Sequence, residues 1–264
     1  MTDSWALAWQ LIARADPELV HITALSLQVS ATACLVGSLI GLLLGAWLAV
    51  AYTLGLGVPF IVAAVAFQRI SRAVAFLREA HRNPATGGYA WVLHWENGQA
   101  RVLDATNHCY GLAFVLLAYA HAAQAGIAGA ADWLDETFEL MEQRFWQPGS
   151  GLYADEASAD WGLSPYRGQN ANMHMTEAML TAYEATGDLR YLDRAETLAR
   201  RICVDLADSA QGVVWEHYHQ DWSVDWDYNK DDPKHLFRPY GYLPGHMTEW
   251  TKLLLILDRH RPQD

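Results

Sequence analysis

The chain has 264 residues, 52% of them hydrophobic, enough to bury the core of one large domain or two modest ones. Its formal net charge is −12 and no long basic run occurs, which argues against a nucleic-acid binder. Cys34, Cys109 and Cys203 are odd in number, far apart and in no CxxC pattern, which excludes a disulfide framework and predicts reduced thiols.

Ile22 to Gln68 contains no Lys, Arg, Asp or Glu. Within it, Ala31 to Leu54 is almost wholly apolar or small, and a bilayer needs about 20 such residues. Gly37, Gly41 and Gly45 form two overlapping GxxxG steps, the close-packing face of membrane helices. The competing reading is a buried helix of a soluble core; the lack of a charged face over the whole length favours the membrane. A signal peptide fits poorly, because Asp3, Asp16 and Glu18 stand against one Arg14 in the leader and the apolar run is too long. Gly55, Gly57 and Pro59 break the pattern, and a second span over Val58 to Phe67 would be short. Arg69, Arg72, Arg78 and Arg82 gather after it, a bias that predicts a cytoplasmic C-terminal portion. Leu25 to Ala33, with Gly37 to Gly45, resembles the first membrane helix of binding-protein-dependent permeases of the tungstate type, and no other part of a permease follows.

Helical periodicity resumes near Ile70, with Ile70, Val74 and Leu77 on one face and Arg72 and Glu79 off it. Asn83-Pro84-Ala85-Thr86-Gly87-Gly88 stops that helix. Tyr89 to Leu93 and Ala100 to Leu103 flank Glu96-Asn97-Gly98-Gln99, a hairpin signal, and an apolar helix follows from about Cys109 to Ala125. The unit then returns. Trp133-Leu134-Asp135 begins a helix ending at Phe145-Trp146, and Tyr191-Leu192-Asp193 begins another. Gly88, Gly151 and Gly212 take equivalent places at spacings of 63 and 61, and Asp160-Trp161 matches Asp221-Trp222. A period near 60 holding two helices and a short extended excursion is an α-hairpin repeat. Such hairpins must stack, as an open solenoid or as a closed ring with inner and outer helices. The ring puts the starts of its inner helices around one mouth.

His-Met-Thr-Glu occurs twice, at His174 to Glu177 and His246 to Glu249, each followed by an apolar helical run. Tyr110 takes the histidine's place at the start of the earlier apolar helix, so one position is expected to be filled three times around the mouth. The positive end of a helix dipole disfavours imidazolium, which predicts neutral rings usable as general bases. Glu177 and Glu249 share a helix face with their histidines and are read as orienting the rings or binding hydroxyls. Capping inside the mouth is the competing reading; two matched copies favour a site. Arg167 and Arg238 precede these histidines and either neutralise a developing oxyanion or pair with nearby acids. Trp222 to Pro239, with Trp226, Tyr228, Asn229, Asp231, Asp232 and His235, is a long loop at the mouth. It is a lid or rim, or else a solvated acidic loop. His217-x-His219, near Glu216 and Asp221, is a weak metal spacing and the minor reading. Walker, GxGxxG, GxSxG and HExxH motifs are absent, and no cofactor is predicted.

Tyr166-Arg167-Gly168-Gln169-Asn170-Ala171-Asn172-Met173-His174 resembles the N-acylglucosamine 2-epimerase and mannose isomerase family. So do Asp227 to Gly241 and Pro244-Gly245-His246-Met247-Thr248-Glu249-Trp250, and the resemblance runs from about Ala66 to the C-terminus. It implies an all-α fold, an incomplete (α/α)6 barrel of helical hairpins with short β-hairpin excursions, here preceded by a transmembrane helix. It also implies metal-free proton transfer at the carbon beside a sugar carbonyl: aldose–ketose isomerisation through an enediol, or C2 epimerisation, of mannose-type hexoses. Residue by residue, it makes His246 catalytic and lets His174 contact substrate and assist proton transfer. Tyr110, Asn170 and Glu249 become sugar-binding, and Arg238 matches a motif position of open role. Three departures follow. The family's first hairpin, with a substrate-binding Arg, is replaced by the membrane-like segment. Its C-terminal hairpins, with the second catalytic histidine, have no counterpart. Leu112 stands where many members have His.

The expected organisation is residues 1–60 as tail and membrane segment and 61–264 as a partial barrel. The expected partners are a sugar, a membrane through residues 31–54, and a second copy through open barrel edges that expose apolar faces. The expected location is the membrane with the C-terminal domain cytoplasmic, or the cytoplasm if the segment is not a span. A non-catalytic fusion remnant and a membrane-anchored sugar-binding module compete with the enzyme.

Overall fold

The computed structural model describes residue 9, residues 17–53 and residues 57–261, with backbone only at residue 19, at 46–53 and at 57–66. The chain divides into two compact units, Met1–Phe67 and Gln68–Asp264. In the first, a single helix α1 (Pro17–Thr53) holds Val20–Gly45, long and apolar enough to cross a bilayer and buried nowhere along its length. The apolar window therefore begins earlier than the Ala31 to Leu54 read from composition, because Val20, Ile22 and Leu25 already belong to the helix. Gly37, Gly41 and Gly45 have open space around their Cα atoms. The break expected at Gly55 lies outside the described residues, and Gly57 instead opens helix α2 (Gly57–Phe76).

α2 passes into one π-helical turn, Leu77–His81. Val74 is buried and Leu77 half-buried, but Ile70, expected on the same face, is 50% exposed. Arg78 and Arg82 both pair with Glu136. Two of the four arginines read as a topology signal thus have a structural role within the C-terminal unit.

The hairpin forms as β1 (Val92–Glu96) and β2 (Gln99–Asp104). Asn97 and Gly98 both take positive φ, 51° and 77°, the two-residue turn that suits the right-handed twist of paired strands. From there the chain alternates inner and outer helices. α3 (Cys109–Gln124), α5 (Gln169–Thr186) and α7 (Pro244–His260) form the inner layer; α4 (Ala130–Arg144) and α6 (Leu189–Arg200) form the outer layer. α3 packs along α5 and α5 beside α7, while α4 backs α3 and α6 backs α5.

Sequence chemistry sorts the layers. α3 buries Leu112, Leu116 and Tyr119, and α5 buries Met173, Met175 and Met179; each side chain of this size contributes roughly 1.5–3 kcal/mol when removed from water. α6 instead has one apolar stripe, Tyr191, Leu192, Ala195, Leu198 and Ala199, with charge on its other face. Its first turn is capped by Asp188, which accepts from the Arg190 amide at 2.9 Å, and α5 ends on Gly187 in the left-handed conformation. α7 presents Leu254 and Leu255 to solvent, 39% and 65% exposed.

Two-residue ladders fix the mouth. β3 (Asn107–His108), just before α3, pairs with β6 (Glu156–Ala157); β7 (Arg167–Gly168), just before α5, pairs with β8 (His217–Tyr218). The starts of α3 and α5 are thereby joined to the excursion of the next repeat. The joint is tightened by backbone bonds, the Cys109 amide to the Asp155 carbonyl at 2.8 Å and the Gln169 amide to the Glu216 carbonyl at 3.2 Å. A short β4–β5 ladder (Trp146–Gln147 with Leu152–Tyr153) closes the excursion after α4. Asn107 and Asn172 repeat one device: both are buried, and their side-chain oxygens accept from the Tyr89 and Tyr153 amides at 2.9 and 2.8 Å. Gly88 is required beside the first, since a Cβ there would meet Asn107 Oδ1 at 2.2 Å.

Candidate functional site

A cleft of about 650 Å3 opens where the inner helices start. Trp91, His108 and Tyr110 form the wall at the α3 end; Asn170 and Ala171 come from the first turn of α5; Leu243 and His246 come from the start of α7. Asp155, Glu156 and Tyr166 line it from the excursions, and Tyr228 to Pro239 closes it over the top.

His246 sits in the first turn of α7, half-buried. Its Nδ1 lies 2.9 Å from Glu216 Oε2 and 2.9 Å from Gln169 Nε2. Burial alone would lower the ring's pKa, but the hydrogen bond and charge of Glu216, with Glu249 beyond, hold it above the ordinary histidine value. The downward shift expected from the helix dipole is therefore reversed in direction: a buried carboxylate in contact outweighs a partial charge at the helix end. Glu249 is half-buried one turn on and acts on the ring through its charge.

His174 is placed differently. α5 begins five residues before it and α7 begins two residues before His246, so His174 lies one turn deeper. It does not line the cleft. Its ring meets Tyr110 edge-on at 5.1 Å and Phe114 at 4.7 Å, and its Nδ1 lies 3.3 Å from Glu177 Oε2. Glu177 also takes Lys252 Nζ at 2.7 Å; the His174 hydrogen bond and Lys252 overcome burial and depress its carboxyl to about 2. The position expected to recur three times is thus occupied at two depths, with Tyr110 between His174 and the cleft. Leu112 is buried in the core of α3, 1% exposed.

Asn170 lines the cleft with Oδ1 buried and without a partner among the described residues, an acceptor available to a hydroxyl donor. Arg238 stacks on Tyr166 at 3.8 Å, pairs with Glu156 and reaches the Tyr228 hydroxyl at 3.3 Å. Asn229 Nδ2 donates to the Arg238 carbonyl at 2.6 Å, so this arginine fastens the long loop to the cleft wall. The loop is rim and solvated acid at once: Asp231 and Asp232 are exposed, while Trp226 packs on Trp215 at 4.8 Å. Arg167 takes no part in the cleft. It is fully buried, with Nε on Gln147 Oε1 at 3.0 Å and Nη1 on the Ser164 and Tyr166 carbonyls, so it organises the excursion. The His217-x-His219 pair is split: His217 engages both ring nitrogens, with the Pro239 carbonyl at 2.8 Å and the Tyr166 hydroxyl at 2.9 Å, while His219 is exposed beside Asp225.

Two cleft-lining groups, Asp155 and His108, and the role of Glu216 behind His246 were not read from the sequence. Asp155 is buried, accepts from the Gly168 amide at 2.7 Å, and burial raises its carboxyl to about 8 against the pull of Gly168, Arg238 and Arg167. It keeps its proton through neutral pH and is a neutral donor there. His108 stacks on Trp91 at 4.5 Å beside Glu156; burial lowers its pKa, leaving a neutral imidazole. Glu216 holds His246. A signal for two of them was present, because Asp155 and Glu216 each stand four residues after a repeat glycine, Gly151 and Gly212.

A profile of the family described as N-acylglucosamine 2-epimerase (GlcNAc 2-epimerase) matches residues 62–264. The chain belongs to the N-acylglucosamine 2-epimerase family. Within it, a D-mannose isomerase of Marinomonas mediterranea is 54% identical over 193 residues, covering 72% of this chain and 48% of that protein. A D-mannose isomerase of Thermobifida fusca is 40% identical over 182 residues, covering 69% and 44%. A crystal structure of D-mannose isomerase matches at TM-score 0.68 and 55% identity, covering 72% of this chain and 48% of that one. The cellobiose 2-epimerase of Spirochaeta thermophila DSM 6192 shares the fold at TM-score 0.60 and 24% identity, covering 72% and 47%. The chain spans about half the length of the curated relatives it matches. The two-layered arc α3–α7 is accordingly the architecture of an (α/α)6 barrel, and the family is one of sugar isomerases and epimerases.

Proposed function

We propose that the cleft takes an unphosphorylated mannose-type hexose and that His246 transfers the proton at C2, in aldose–ketose isomerisation or C2 epimerisation. The observation that carries this reading is an imidazole at the first turn of α7, facing a cleft that also presents Asn170 Oδ1, Tyr110 and Tyr166. The two relatives named D-mannose isomerase support the substrate. Charge supports it as well: Glu156 lines the cleft and already pairs with Arg238, so that arginine is engaged and not offered to a phosphate. In the open-chain sugar the C2 proton is acidified by the adjacent carbonyl. His246 removes it, giving an enediolate; once the hydroxyl proton has moved from O2 to O1, return at C1 gives the ketose, while return at C2 without that move gives an aldose. Tyr110, Asn170 and Glu249 are proposed to bind hydroxyls, and His174 to position Tyr110.

The test is proton NMR of mannose in deuterium oxide with the purified chain. Deuterium is expected to enter at C2. Little or no net fructose is expected from this chain, which spans about half the length of the isomerases it matches. A second reading, a membrane-anchored sugar-binding module with a cytoplasmic C-terminal unit, is favoured by the exposed apolar helix Val20–Gly45. Mannose binding without exchange, by a chain recovered in the membrane fraction, is the outcome that reading expects. Absence of both binding and exchange would leave a non-catalytic remnant. Exposed Leu254 and Leu255 are the proposed face for a second copy, read in the same samples as a concentration-dependent mass.

A further inference from the structure

We propose that Glu216 is a positioning residue for His246: it holds the ring as the Nδ1–H tautomer and so leaves Nε2 as the basic nitrogen for the cleft. The inference deepens the proton-transfer reading above and rests on it only for its catalytic consequence.

Trp250, in α7, is 2% exposed. An indole N–H is a donor only, and Trp250 Nε1 lies 2.6 Å from Gln169 Oε1. That contact fixes which end of the Gln169 amide is oxygen. The amide nitrogen must then face the other way, where it donates to Glu216 Oε2 at 3.0 Å and lies 2.9 Å from His246 Nδ1. Glu216 is itself 4% exposed and pinned, since its carbonyl accepts from the Gln169 amide. Two protonation patterns are possible for His246 Nδ1. If it carried no proton it would accept from Gln169 Nε2, but its lone pair would also face the Glu216 carboxylate oxygen at 2.9 Å, a repulsion the neutral amide bond does not offset. If it carries the proton, it donates to that oxygen in a charge-assisted bond. The second pattern is the stable one, and it puts the lone pair of the neutral ring on Nε2. The same carboxylate then stabilises the imidazolium formed when Nε2 takes a proton, the role a carboxylate behind a histidine base plays in other enzymes. The ionisable groups that raise the ring's pKa are Glu216 from the excursion and Glu249 from α7 itself; Gln169, from α5, is neutral.

The position of Glu216 is built into the repeat. Asp155, its equivalent one repeat earlier, bonds the amide of Gly168 at the start of α5, as Glu216 bonds His246 at the start of α7. In both repeats a buried carboxyl from the excursion reaches the next inner-helix mouth. Only at α7 does it find an imidazole.

The experiment is long-range proton–nitrogen NMR of the full chain labelled at its histidines, followed across pH, for the natural sequence and Glu216→Gln. The natural protein is expected to show His246 with Nδ1 protonated and Nε2 unprotonated when neutral. Its pKa is expected to fall by one unit or more, a tenfold change in dissociation constant, in Glu216→Gln. An Nε2–H tautomer in the natural protein overturns the proposal without any variant, and so does an unmoved pKa in a folded Glu216→Gln. In the deuterium-exchange assay the variant should lose about 10–100-fold in rate, with the acid limb of its pH profile moved to lower pH. The NMR result needs no sugar and no turnover. A chain with the expected tautomer but no exchange refutes the proposed function and leaves the role of Glu216 standing.

Discussion

Replacing His246 by Gln is expected to slow deuterium entry at C2 of mannose by about 10²–10⁴-fold, the range general acid–base groups supply. Mannose affinity should stay within a few fold. Gln fills most of the imidazole's volume and can still donate to Glu216, whose Oε2 would otherwise lose a charge-assisted partner 2.9 Å away. It has no group that titrates near neutral pH, so it cannot take the proton. Tyr110, Asn170 and Glu249, the groups proposed to bind hydroxyls, are unchanged in this variant. Proton NMR reads both quantities in one sample. Exchange at an undiminished rate in His246→Gln would assign proton transfer elsewhere, with His108 the next candidate on the cleft wall.

Arg238→Met is expected to weaken mannose binding by about 10–100-fold and to lower stability by roughly 2–4 kcal/mol, near the cost of breaking a largely buried ion pair. Met keeps the apolar stem over Tyr166, so the loss reports the charge and its hydrogen bonds. Arg238 is 25% exposed and is the group through which the long loop meets Glu156. Without it Glu156 remains in the cleft beside His108 with no cation, and the loop loses its hold on Tyr228 as well. Calorimetric titration of mannose and thermal unfolding check the two parts separately. Full affinity with only a lower melting temperature would make Arg238 a structural tie and remove it from the sugar site.

The repeat, the hairpin turn at Asn97-Gly98 and the alternation of helices were legible because each leaves a local pattern: spacing, turn residues, periodicity. The family was legible because motif residues cluster at helix starts, where the fold needs specific polar groups. Depth was not. His174 and His246 sit in identical His-Met-Thr-Glu strings, yet Pro244 starts α7 just ahead of one and Gln169 starts α5 a full turn ahead of the other. Partners were not legible either. Glu216 and His246 stand 30 residues apart and meet only because β8 joins the mouth of α5, next to which α7 packs. The helix dipole alone would lower the pKa of His246; a contact from another element, Glu216, reverses that direction. Arg167 reads like Arg238 in the sequence, but its own excursion encloses it completely.

That His246 faces a sugar in the cleft at the helix mouths is a claim for crystallography with the open-chain analogue mannitol. One analogue is expected in the cleft, with a hydroxyl donating to Asn170 Oδ1 and C2 within about 3–3.5 Å of His246 Nε2, the approach proton transfer needs. An analogue seated instead in the groove of Trp146 and Trp222, or a cleft analogue with His246 turned away from it, would contradict the claim.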